Sequence, residues 1–141
     1  MRAPTIGVLL TLVVAGCCVL LAQTPRSLWD GVYTAEQAQR GSGSYASNCA
    51  ACHGTQLTGG ESAPALTGGE FLSSWNGLTV ADLFDRIRTT MPADRPGRVT
   101  REQNADILAY MLSMNQFPSG KVELEHQAEG LSKIQFDAYK K

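Results

Sequence analysis

Two cysteines separated by two residues and followed at once by a histidine, Cys49-Ala50-Ala51-Cys52-His53, constrain this chain more than any other stretch. Thiols at that spacing can each add to one of two vinyl groups on a flat macrocycle. The imidazole next in line then falls beneath the ring and reaches its metal. C-x-x-C-H is accordingly the pattern of covalent c-type haem attachment, with Cys49 and Cys52 as thioether residues and His53 as one axial ligand. Two other chemistries use part of the pattern. A redox-active dithiol calls for a βαβ setting, and no strand alternation is evident along the chain. A structural zinc site needs four ligands, whereas the remaining candidates are Cys17 and Cys18 in an apolar leader and the distant His126.

A length of 141 residues, 43% of them hydrophobic, suits one domain preceded by a leader. The formal charge is −1, and setting aside residues 1–22, which carry only Arg2, leaves 11 basic against 13 acidic residues. That balance supplies no basic field for nucleic acid. In residues 1–22, Arg2 precedes an uncharged apolar run from Ile6 to Ala22, the pattern of a signal peptide or an N-terminal membrane anchor. Cleavage after Ala22 would release a soluble protein, Val14-Ala15-Gly16-Cys17 resembles a lipobox that would lipidate Cys17, and retention would leave an anchor. Export agrees with covalent haem attachment, so a periplasmic or exported protein is expected, soluble or anchored to the membrane.

Residues 23–33, with Pro25, Asp30 and Gly31, read as an exposed linker. Three starts of one kind follow: Thr34-x-x-Gln37, Thr79-x-x-Asp82 and Thr100-x-x-Gln103. In each, a hydroxyl and a polar side chain three residues on can satisfy free backbone donors reciprocally. The first helix would turn Ala38, Gly41 and Tyr45 inward and end near Cys49; a helix that accepts Gly41 and Gly43 implies close approach by another element. Val80, Leu83, Phe84 and Ile87 form the inner stripe of the second, with Asp82, Asp85, Arg86 and Arg88 off it. Ile107, Tyr110, Met111 and Met114 line the third, with Asn115 as its C-cap and Pro118 and Gly120 beyond. Three helices of ordinary length and no sheet result. Between the motif and the second helix lies a glycine-rich stretch, either a flexible loop or backbone wrapped closely on a flat cofactor. Pro64 within it keeps a carbonyl that could accept the Nδ1 proton of His53 and leave Nε2 for iron. Residues 118–141 are a polar C-terminal extension, packing on or trailing from the domain, in which Leu124, Leu131, Ile134 and Phe136 could anchor a short helix or a strand-like wrap and His126 is a surface residue.

Haem iron held by one histidine takes a ligand across the ring, and thioether ligation raises the potential of electron-transfer cytochromes. Met111 and Met114 lie on a helical stripe, as core methionines do. Met91 does not; it stands 38 residues after His53 and directly before Pro92, which disfavours the α conformation at Met91 and frees its side chain to point inward. Met91 is therefore read as the sixth ligand, a vacant or water-bound position being the alternative.

Arg40-Gly41, Tyr45, Asn48-Cys49-x-x-Cys52-His53-Gly54, Ala63-Pro64-x-Leu66, Met91-Pro92 and Ala105-Asp106-Ile107-x-x-Tyr110-Met111 together resemble a class I monohaem c-type cytochrome over residues 34–117. The resemblance implies an all-α cytochrome c fold of about three to five helices around one covalent haem c. It implies Cys49 and Cys52 as attachment points, His53 and Met91 as axial ligands, a crossing of the Gly41/Tyr45 face with the Tyr110 helix, and an exposed haem edge near the motif. Residues 80–92 are similar also to bacterial cytochromes found with periplasmic quinoprotein dehydrogenases. Trp75 is either a propionate contact or a core residue. No lysine occurs between residues 1 and 120, which argues against docking by a ring of lysines. The function expected is electron transfer, not catalysis, by a periplasmic carrier or by the cytochrome subunit of a dehydrogenase or respiratory chain, exchanging electrons with redox partner proteins. An open-iron haem enzyme or ligand sensor and a haem-free thiol-disulfide oxidoreductase are the alternatives.

Overall fold

Each of the three threonines expected to start a helix does so in the computed structural model, which describes residues 25–140. Helix α1 spans Ala35–Asn48, α4 spans Val80–Thr90 and α5 spans Arg101–Met114. Between α1 and α4 lie a single turn, α2 (Ala50–His53), and α3 (Gly68–Trp75); another single turn, α6 (Ala128–Leu131), lies beyond α5. None of the described helices is long and apolar enough to cross a membrane. Residues 1–22, read as a leader, and the lipobox-like stretch ending at Cys17 lie outside the described residues.

Caps on α4 and α5 are reciprocal: Thr79 with Asp82 and Thr100 with Gln103 each exchange side chain and backbone in both directions. At α1 only half of the expected box forms. Thr34 Oγ1 accepts from the Gln37 amide at 3.1 Å, but the Gln37 side chain turns into the core instead of back to the cap. There its Nε2 donates to the Leu124 carbonyl at 3.0 Å, and its Oε1 accepts from the Leu124 amide at 2.7 Å. A buried amide with both ends satisfied costs little, and here it fastens the C-terminal segment to α1.

Helices α1 and α5 cross where α1 has no side chain. A Cβ on Gly41 would collide with the Asp106 carbonyl and touch Tyr110 Cβ. Around this contact the Tyr45 and Tyr110 rings meet at a tilt of 57° with centroids 5.4 Å apart, and Arg40 forks onto Asp106 at 3.0 and 3.2 Å while reaching Glu123 at 2.9 Å. The crossing of the Gly41/Tyr45 face with the Tyr110 helix is thus present. Helix α5 is more deeply set than a single stripe suggests, for Ala105, Leu108, Ala109 and Leu112 are buried with Ile107 and Met111.

Three expectations are corrected. Residues 26–33 are not an exposed linker: Leu28, Val32 and Tyr33 are buried, because a short 3-10 turn at Leu28–Asp30 folds them onto the core and the Tyr33 hydroxyl donates to the Phe117 carbonyl at 2.6 Å. A small sheet does exist, since Arg26–Ser27 (β1) pairs in parallel with Ile134–Gln135 (β2). The glycine-rich stretch is not wholly loop either: Gly68 and Gly69 open α3, which buries Phe71. Such short elements lack the sequence periodicity that reveals a longer one.

The C-terminal extension packs on the domain as both a helical turn and a strand. Leu124, Leu131, Ile134, Phe136 and Ala138 are buried, and each of the larger apolar side chains contributes about 2 kcal/mol when removed from water. Phe136 meets Phe117 and Phe71 edge-on at 5.8 and 6.1 Å, and Phe117 also meets Trp29 at 5.0 Å, so the first and last described segments share one aromatic cluster. Gly31 and Gly120 lie backbone to backbone at the same seam, Gly31 with a left-handed φ of 66°, and neither leaves room for a Cβ.

The two glycines of α1 should therefore respond oppositely to alanine. Gly41→Ala forces the α1/α5 contact apart and should cost about 3 kcal/mol, the upper range for overpacking. Gly43→Ala has nothing within 4 Å to meet and should gain up to about 1 kcal/mol from helix propensity. Urea denaturation of the two variants checks both signs.

Candidate functional site

Cys49 terminates α1, and the chain turns there through a non-helical conformation (φ −128°, ψ −35°) into α2, which carries Cys52 and His53. The amides of Cys52 and His53 donate back to the Cys49 carbonyl at 3.2 and 3.0 Å, so both thiols and the imidazole issue from one tight turn. Cys49 is partly buried, Cys52 is exposed and His53 is buried.

His53 Nδ1 lies 2.8 Å from the Pro64 carbonyl oxygen. A carbonyl can only accept, so Nδ1 carries the proton and Nε2 keeps its lone pair for a metal. The segment that offers this carbonyl is locked from several sides. Gly59 donates to the His53 carbonyl at 2.9 Å, Gly60 to Ala63 at 2.9 Å and Leu66 to Leu57 at 2.8 Å. Gly59, at φ 75°, backs directly against Pro64: a Cβ there would lie 2.7 Å from the Pro64 carbonyl carbon and 2.5 Å from the Ala65 nitrogen. Asn115, the C-cap of α5, donates to the Leu66 carbonyl at 2.9 Å and accepts from Gly68 at 3.2 Å. The hydroxyl of Tyr45 donates to the Gly54 carbonyl at 2.7 Å, joining the α1/α5 crossing to the residue after His53.

Met91 caps α4 in an extended conformation (φ −122°, ψ 150°), its amide still donating to Ile87, and it is half-buried. Proline at 92 thus ends the helix at the residue expected. Met111 is buried in the core and Met114 is partly buried on the same helix. Trp75, the last residue of α3, is half-buried with its ring 6.4 Å from Phe71. His126 is on the surface, its ring 3.6 Å from Glu102, and takes no place beside the cysteines.

Burial pushes the Cys49 thiol up to about 11, with the neighbouring Cys52 adding to the shift. A thiol-disulfide oxidoreductase needs the opposite, a thiol pKa brought down toward neutrality. Burial also raises Tyr45 to about 12, with Cys49 and Tyr110 contributing, so it remains a phenol able to donate to Gly54. Among the described residues no three His, Cys, Asp or Glu side chains converge on a common point as a zinc site requires. Two free thiols on one tight turn, an imidazole with its tautomer preset and a glycine-lined turn fit a covalently attached haem instead.

Gly59, Asn115 and the Tyr45 hydroxyl were not singled out as supports by the sequence. Only the placement of Gly59 in a glycine-rich run hinted at one of them; the other two act through contacts 49 and 9 residues away.

Comparison with known proteins adds one match. The model of the family described as cytochrome C oxidase, cbb3-type, subunit III covers residues 36–111. No curated protein and no solved structure matches the chain. The matched span runs from the first turn of α1 into α5 and includes Cys49, Cys52, His53, Pro64, Trp75 and Met91.

Gly59→Ala should displace residues 63–65 and pull the Pro64 carbonyl off His53, costing about 2 kcal/mol or more from the left-handed φ and the overlap together. The His53 Nδ1 proton, followed by NMR, should lose its protection from solvent exchange; a proton still protected would show that Gly59 does not hold the carbonyl. A second test concerns α4, which delivers Met91. The Thr79 hydroxyl and amide hold the Asp82 carboxyl below the usual carboxylate range. Its contribution is then present above the ordinary carboxylate pKa and is lost as pH falls through the lowered one. Asp82→Asn should cost about 0.5–1 kcal/mol at neutral pH, and the gap from wild type should close on acidification in a pH series of thermal melts.

Proposed function

Because this chain belongs to the cbb3-type cytochrome c oxidase subunit III family, we propose that it is an exported electron carrier whose haem is stitched to Cys49 and Cys52 and ligated axially by His53 and Met91. Haem-based electron transfer, an all-α cytochrome c fold and covalently bound haem c come with the family. The ligand pair, the exported location and the carrier role are proposed here on the site's geometry and on the apolar run in residues 6–22.

The observation that carries it is the 2.8 Å bond from His53 Nδ1 to the Pro64 carbonyl. It holds the ring in one orientation and one tautomer, so that Nε2 is a preset metal donor. When bound, haem c supplies a one-electron ferric/ferrous couple. The chain contributes rigidity on one side through the turn of Cys49 to His53, tied to Gly54, Gly59 and Pro64. Met91 leaves the end of α4 extended, and its neutral sulfur, as the second ligand, would favour the reduced metal. With His53 and Met91 both holding it, the iron would be closed to substrates, which would suit electron transfer and not bond chemistry. Its position at a helix end fixed by a capping box at the start and Pro92 beyond keeps Met91 from shifting when the charge changes. The apolar run in residues 6–22 supports export, and the similarity of residues 80–92 to dehydrogenase-associated cytochromes makes a periplasmic dehydrogenase a donor to test.

Met91→Ala tests the ligand assignment. The reduced variant should bind carbon monoxide, the oxidised one should lose the weak sulfur-to-iron absorption band, and the potential should fall by on the order of 0.1 V or more. A variant with the wild-type spectrum and potential would move the role to Met111 or Met114, and a wild type that already binds carbon monoxide would favour the open-iron reading.

A further inference from the structure

Between α4 and α5 the chain has one buried residue. From Ala93 to Thr100 every position is exposed except Val99. The hydrogen bonds of the 92–98 segment stay inside it: Arg95 donates to the Pro92 carbonyl at 2.9 Å, Arg98 to the Arg95 carbonyl at 3.3 Å, and the Arg95 side chain to Asp94 at 3.3 Å. A segment with so few buried contacts opens at low cost. It is tied to the domain at its two ends, by Met91 at the close of α4 and by Val99 at the approach to α5.

Val99 is gripped by an amide side chain. Asn104, near the start of α5 and 1% exposed, donates from Nδ2 to the Val99 carbonyl at 3.1 Å and to the Thr100 carbonyl at 3.0 Å. The start of α5 does not require this. The box of Thr100 and Gln103 is complete without it, and the Thr100 carbonyl already accepts from the Asn104 backbone amide at 2.9 Å. What Asn104 adds is the bond to Val99, one residue outside the cap. Its Oδ1 is buried with no hydrogen-bond partner among the described residues, so the amide sits there at a cost in stability that an apolar side chain of the same size would not incur. A side chain that carries such a cost acts through its donor, and that donor reaches the end of the Met91 segment.

We propose that Asn104 is a positioning residue for the sixth ligand: by clamping Val99 it closes the 92–98 segment from the far end and sets how often Met91 leaves the iron. This rests on the reading that Met91 is that ligand. The coupling is reciprocal, because two groups fastened to one short segment stabilise each other's closed state. Releasing Val99 frees the segment to swing Met91 outward, and displacing Met91 loosens the clamp.

Imidazole, a neutral nitrogen donor, replaces a methionine sulfur on ferric iron with no change in oxidation state, and at saturation its binding rate equals the rate at which the sulfur leaves. Stopped-flow mixing of the ferric holoprotein with imidazole should show that plateau in the wild type. Asn104→Leu, of nearly the same volume and without the donor, should raise the plateau about tenfold or more, with the sulfur-to-iron band still present before mixing. Gln37→Leu removes another buried amide, the clip to Leu124, and should lower stability in urea comparably while leaving the plateau within about twofold of wild type. An unchanged plateau in Asn104→Leu, or equal acceleration by Gln37→Leu, would overturn the clamp while leaving Met91 as the ligand. The wild type supplies a second measurement that stands even where Asn104→Leu does not fold. Saturating imidazole should speed solvent exchange of the Asn104 side-chain amide protons, followed by NMR, about tenfold or more. Protection that persists with imidazole bound would overturn the clamp as well. A wild type that lacks the sulfur-to-iron band and binds imidazole without a plateau would remove the Met91 reading first, and the clamp with it.

Discussion

The contact on which this structure depends is the one between α1 and α5 at Gly41. With no Cβ in the way, the two backbones close to a distance at which Asp106 and Tyr110 rest on α1 itself. Everything after that contact along α1 inherits its position. Tyr45 lies one turn on, its ring tilted against Tyr110 and its hydroxyl donating to Gly54, and Cys49 follows one turn later at the point where the helix gives way to the turn of the motif. A covalent cofactor needs its two thiols and its imidazole presented from a fixed base, and the helix crossing supplies that base.

A second layer of constraint orients the imidazole. The Pro64 carbonyl would be an ordinary loop acceptor were it free to move, but Gly59 behind it and Asn115 beyond it leave it one place to be. Asn115 is also the end of α5, so the helix that crosses α1 sets the loop that fixes His53. The motif and its support are thus two consequences of one pair of helices. Met91 depends on neither; it is delivered separately by α4, whose start is held by Thr79 and Asp82 and whose end is set by Pro92.

The segments outside the matched family span are part of the same body. Residues 26–33 and 117–138 form a belt in which Trp29, Phe117, Phe136 and Phe71 share contacts, Gly31 abuts Gly120, and the buried Gln37 amide clips Leu124 to α1. Chain ends left loose would expose those rings to water; tied together they close the side of the domain formed by α3.

Much of this was legible beforehand because it is local. Helix starts rest on a hydroxyl and a residue three positions on, the end of α4 on the steric demand of Pro92, and attachment on a five-residue motif, all within one or two turns of chain. The Pro64 carbonyl could be anticipated from the chemistry His53 requires, although not from any pattern. What tertiary structure decided is everything whose partners are far apart in sequence: that Gln37 abandons its cap for Leu124, 87 residues away, that Tyr33 reaches Phe117, and that residues 26–33 join the core instead of linking to it. Short apolar segments of two or three residues carry no period of their own. Their burial becomes favourable only once the α1/α5 pair and the returning C-terminal segment have built a surface to cover.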